Sequence, residues 1–188
     1  MKYNDYKFDY RADYQEAPDY HERKHFYFGY GMNTNREQMA ARCPTSKCLG
    51  PAILPGYKFA FRGHADVELD WESQVEGVLW DIGDQDLIAL DRLEGFPSYY
   101  LRQRAWVESQ DGYGVAWVYM MNDQSYVSNP SKGYYDMCFE GYEQHNVPTE
   151  QLTKSLIGDT TVFQDGYLDT IDNQDWYGNW SNNRKYLW

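Results

Sequence analysis

Residues 25–37 read HFYFGYGMNTNRE. The aromatic run Phe26-Tyr27-Phe28 suits a buried strand, and Gly29 and Gly31 let the backbone turn sharply behind it. Thr34 and Glu37 then have the Thr-x-x-Glu spacing of a capping box. This predicts a helix that runs through Met39 and Ala41 and stops before Pro44. The order is strand, tight turn, helix N-terminus. Such a turn exposes backbone N–H groups that suit a carboxylate or a developing oxyanion, which makes Tyr30, Gly31, Met32 and Asn33 candidate binding residues. The same geometry often does no more than connect a strand to a helix.

Working outward, strands are expected over 56–61, 75–82, 101–107 and 115–121, each rich in branched or aromatic residues and bounded by Gly, Pro or Asp. A helix is expected over 83–94, where Leu87, Leu90 and Glu94 fall at i, i+3 and i+7 and Gly95 supplies a left-handed stop. A second helical stretch follows Pro130-Ser131 over 133–145, and a third begins near Pro148. Glu94 is the informative residue of these elements. Helical geometry puts it on the face that carries Leu87 and Leu90, so its carboxyl is expected to be partly desolvated, its pKa raised and its use as a general base favoured. The bland alternative is a helix-end acid reaching water beyond Gly95, unfavourably placed against the helix dipole.

The chain has 188 residues, enough for one domain of 25–157 with an extension at either end. Residues 1–24 form an acidic, Tyr-rich N-terminal extension with almost no aliphatic side chains. Tyr3, Tyr6, Tyr10 and Tyr14 recur at helical steps, so the segment reads either as a mobile tail or as an aromatic stripe for docking or self-association. Residues 158–188 form an aromatic C-terminal extension. The formal charge of −12 gives no electrostatic support for nucleic-acid or membrane-surface binding and leaves a small molecule as the expected partner. No apolar run is long enough to span a bilayer, and the opening MKYNDYKFDY is too polar for a secretory core. Cys43, Cys48 and Cys138 are too few and odd in number for a disulfide scaffold, and the histidines lack metal-binding spacing. A cytoplasmic protein without a metal or cofactor is expected.

From residue 26 to 156 the chain resembles the γ-glutamylcyclotransferase family, including its AIG2-like and γ-glutamylamine branches. The landmarks stand in family order: FYFGYGMN, GPAILPGYKFAF, VEGVLWDI, DLIALDRLEGF, YLRQRAWV, AWVYM and NPSKGYYDMCFEGYEQHNVP. The resemblance implies an α+β fold, a mixed β-barrel with flanking helices and no cofactor. It implies closure of a γ-glutamyl amide to 5-oxoproline with release of the amine. It places Glu94 on the catalytic acid, Tyr30, Gly31, Met32 and Asn33 on the loop that holds the glutamyl head group, and Tyr134 on a pocket aromatic; Tyr99 or Tyr100 matches another. Met32 departs from the usual serine of that loop, and a thioether cannot donate the hydrogen bond a hydroxyl can, although backbone donors survive. The alternative is a non-catalytic binding or regulatory module that retains the γ-glutamyl pocket.

Overall fold

The computed structural model describes residues 24–164. The N-terminal tyrosine repeat and the C-terminal extension from residue 165 lie outside the described residues. Five strands, β1 (His25–Gly29), β2 (Lys47–Arg62), β3 (His64–Ile82), β4 (Tyr100–Ser109) and β5 (Gly112–Met121), close into a barrel in the order β1-β3-β2-β4-β5. All neighbours are antiparallel except β1 and β5, whose parallel pairing of Tyr27 with Trp117 closes the barrel and makes it mixed. Among the described residues five α-helices flank it: α1 (Arg36–Arg42), α2 (Asp84–Leu93), α3 (Lys132–Gln144), α4 (Glu150–Lys154) and α5 (Thr161–Gln164). The α+β barrel expected from the sequence is the fold observed.

β2 and β3 are far longer than the expected 56–61 and 75–82, because they form one continuous hairpin about Gly63. Gly50 and Gly56, which look like strand breakers in the sequence, adopt φ of +103° and +78° where the register of this hairpin shifts. They act as bulges that bend a strand instead of ending it. α1 also begins differently from the expected Thr34 capping box. Its N-cap is Asn35, whose side chain accepts from the Glu37 and Gln38 amides at 3.1 Å each. The Thr34 hydroxyl instead turns back to the Gly31 carbonyl, 2.8 Å away. Asn and Thr both cap helices, and the tight turn decides between them by occupying the threonine.

The barrel interior is apolar, with Phe28, Leu54, Val67, Val75, Val78 and Val118 fully buried. α3 seals one side, and a Cβ at Gly141 would collide with Thr34 Oγ1, so only glycine lets the helix approach the 31–34 turn this closely. Phe163 of α5 packs on Tyr135 of α3 with ring centroids 5.0 Å apart. Among the described residues no helix is long and apolar enough to cross a membrane.

Candidate active site

The chain leaves β1 through a turn that is held from several sides. A Cβ at Gly31 would lie 2.8 Å from the Ala65 Cβ and 2.9 Å from the Tyr134 hydroxyl, so this position is closed to any side chain. Met32–Thr34 form a single 3-10 turn closed by the Thr34 amide on the Gly31 carbonyl at 3.0 Å. Tyr30 points inward. Its hydroxyl donates to the Tyr119 carbonyl at 2.5 Å, and its own carbonyl accepts from the Tyr142 hydroxyl at 2.7 Å. Both ends of this residue are thereby anchored, which gives its side chain a packing role and its backbone a fixed position.

α2 brings the acid. Leu87 and Leu90 are buried, and Glu94 follows as the C-cap, with Gly95 at φ +63° ending the helix. The Glu94 carboxyl accepts a hydrogen bond from Asn33 Nδ2 at 3.0 Å, which joins the end of α2 to the turn after β1. The same amide nitrogen donates to the Tyr27 hydroxyl at 2.8 Å, and Asn33 Oδ1 accepts from Arg42 Nη1 at 2.5 Å. The second arm of the Arg42 fork, Nη2, lies 2.9 Å from the Met32 thioether. Burial pushes the Glu94 carboxyl up to about 7, outweighing the opposing pull of the Arg42 charge and the Asn33 hydrogen bond. A carboxyl that titrates there exchanges a proton readily near neutral pH.

Tyrosines surround this carboxyl. Its charge acts on Tyr27, Tyr30, Tyr99, Tyr100 and Tyr134, in each case adding to the larger effect of burial in holding the phenol above its ordinary pKa. Tyr100 and Tyr134 meet at one peptide group: the Tyr100 hydroxyl donates to the Ala65 carbonyl at 2.8 Å, and the Tyr134 hydroxyl accepts from the Ala65 amide at 3.1 Å. The Met32 amide also acts on the Tyr134 hydroxyl, so Tyr134 stands against the turn itself. His64 packs edge-on to Tyr134, with ring centroids 4.9 Å apart, and burial lowers its pKa. α2 is tied to the barrel wall through Asp91, which accepts from Arg102 and from the Tyr119 hydroxyl at 2.7 Å each.

Glu94 and the Tyr30–Asn33 turn, distant in sequence, thus meet through a direct hydrogen bond, and Tyr100 and Tyr134 meet through Ala65 beside that turn. Sequence reasoning passed over Tyr27, Arg42, Asp91 and His64. Tyr27 was absorbed into a strand pattern, and a basic residue in a last helical turn is ordinary in any helix. Nothing local marked either of them. Among the described residues no group of three or more His, Cys, Asp or Glu side chains is placed to hold a metal ion.

The family described as "Gamma-glutamyl cyclotransferase, AIG2-like" matches residues 26–137, more than half of the chain. No curated protein matches. A solved structure described as "Gamma-glutamyl cyclotransferase" superposes with a TM-score of 0.65 at 20% identity, covering 80% of this chain and 95% of that one. The human protein loc79017 gives 0.64 at 22%, covering 74% and 91%. YkqA from Bacillus subtilis gives 0.61 at 22%, covering 71% of this chain and 53% of its own. At these identities the structural likeness speaks for the fold, and the family match for the family.

Proposed function

This chain belongs to the γ-glutamyl cyclotransferase, AIG2-like family, and from that premise we propose that it cyclises a γ-glutamyl amide to 5-oxoproline with Glu94 moving the protons. One observation carries the reading. A carboxyl near pKa 7 is held by the turn that follows β1, and its charge acts on Tyr100 and Tyr134.

The α-amine and γ-carbonyl of such a substrate belong to one molecule, so the first task is to hold the glutamyl chain folded back on itself. Effective molarities on the order of 10⁵ to 10⁸ M are available when the reacting atoms are aligned. The α-amine attacks the γ-carbon in its neutral form, and Glu94, ionised, takes a proton from the positively charged nitrogen that this attack creates. Negative charge gathers on the carbonyl oxygen, where backbone amides of the Gly31–Asn33 turn are the proposed donors. As the bond to the leaving nitrogen breaks, Glu94 returns its proton there, releasing a neutral amine and the five-membered lactam. The carboxyl ends as it began. Proton transfer of this kind contributes roughly 10² to 10⁴-fold. The site residues supply binding and proton transfer without a nucleophilic serine or cysteine: burial holds the Cys43 thiol up at about 12 and raises Cys138 further. The free thiols fit a reducing, cytosolic setting.

The test is a mass-spectrometric screen for 5-oxoproline over γ-glutamyl amino acids and γ-glutamylamines, with Glu94→Gln as the control. Product from the wild type, and at least a hundredfold less from a folded Glu94→Gln, is expected. Equal turnover by the variant overturns the role of Glu94. Binding of these compounds without product supports the non-catalytic module instead.

A further inference from the structure

Asn33 touches Glu94, Tyr27 and Arg42 together. A primary amide offers one face that donates and one that accepts, and which way it points is set by its partners. Tyr27 and a protonated Glu94 can each donate or accept, so neither determines the orientation. Arg42 can only donate. We infer that Arg42 is a positioning residue: by donating to Asn33 Oδ1 it turns the Asn33 amide so that both of its hydrogens face Glu94 and Tyr27. The inference rests on the assignment of Glu94 as the proton carrier.

The second arm of Arg42 sharpens this role. It meets the Met32 thioether, an uncharged and weak acceptor. Met32 therefore occupies the fork without neutralising it, and the guanidinium charge still acts on Glu94. The other titratable groups facing Glu94 come from every side: Cys43 after α1, Tyr27 from β1, Tyr30 from the turn, Tyr99 and Tyr100 at the head of β4, and Tyr134 from α3. All are held in their neutral forms by burial. Asp66 acts on Tyr30, Tyr99 and Tyr100 but is ion-paired with Arg62 at 2.8 Å. Arg42 is thus the charge that opposes desolvation of the ionised Glu94.

Removing it has a signature that a purely structural residue lacks. In Arg42→Met the amide is free to flip while Glu94 is protonated, and on ionisation the carboxylate lacks its cation, so the pH at which Glu94 gives up its proton rises by about one unit. The rising limb of kcat against pH moves up with it. Activity at pH 7 falls roughly fivefold and returns toward the wild-type level at pH 8.5, while KM changes little. Arg42→Lys, which retains the charge and a donor, keeps the limb near its wild-type place. A limb that stays put in Arg42→Met, with kcat lowered by one factor at every pH, overturns the inference, as does a KM that rises at every pH with kcat unmoved. A readout without turnover separates the inference from the functional assignment: urea stability against pH, compared between Arg42→Met and Arg42→Met/Glu94→Gln. If the wild type turns over no substrate yet this comparison shows Glu94 titrating higher than in the Arg42 background, the positioning role stands and the catalytic reading fails. If Glu94 titrates at the same pH in both backgrounds, the positioning role fails.

Discussion

Replacing Glu94 with glutamine is expected to stabilise the protein above neutral pH while removing its activity. The carboxyl titrates in the folded chain at about 7, against 4.5 for a carboxyl free of the fold. The folded state therefore holds this proton more tightly than the unfolded state does. Stability from this group is fully present below pH 4.5 and is lost as pH rises to 7. At roughly 1.4 kcal/mol per pH unit the gap corresponds to about 3 kcal/mol, and solvent reaching a partly exposed residue reduces this to about 1 to 3 kcal/mol. Glutamine is nearly isosteric, retains an oxygen for Asn33 Nδ2 and cannot ionise. Urea unfolding of both proteins at pH 5 and pH 8 reads the effect directly. The advantage of Glu94→Gln should be about 1 to 3 kcal/mol larger at pH 8 than at pH 5, with unchanged m-values. If the two proteins lose stability in parallel over that range, Glu94 is not desolvated in the way described, and the case for it as a base near pH 7 falls with it.

Gly31→Ala places a Cβ within 3 Å of both Ala65 and the Tyr134 hydroxyl. The turn must shift, so a loss of about 1 to 3 kcal/mol in a denaturation curve and more than a tenfold loss of 5-oxoproline release are expected. Asp66→Ala leaves Arg62, only 2% exposed, without its 2.8 Å partner and the Met121 amide without its 2.8 Å acceptor. A cost of about 3 to 5 kcal/mol is expected from urea unfolding, and one below about 1 kcal/mol would show that Glu68 alone can satisfy the guanidinium.

Legibility followed the range of the forces involved. The α2 helix was readable because its cues are local: Leu87 and Leu90 at helical spacing, then a glycine stop at Gly95. Both leucines are buried and Gly95 takes its left-handed conformation. The ends of β2 and β3 were not readable. Gly50, Pro51, Pro55 and Gly56 discourage a strand locally, and the long hairpin overrides them by turning the two glycines into bulges. The Thr34 capping box was a sound local pattern that lost to Asn35 once the turn had claimed the threonine hydroxyl.

By itself the sequence determined the family and the helices with local stops, and it marked Glu94 and the Tyr30–Asn33 turn as candidates, since periodicity, glycine stops and motif order are all written along the chain. Only the tertiary structure decided how those candidates meet. Barrel closure places Asn33 against Glu94, sixty-one positions away, and brings Arg42 behind the asparagine. The pKa near 7 belongs to neither Glu94 nor Arg42 alone. It is a balance between the solvent excluded by packing and the opposing pull of the Arg42 charge and the Asn33 hydrogen bond, and all three exist only in three dimensions.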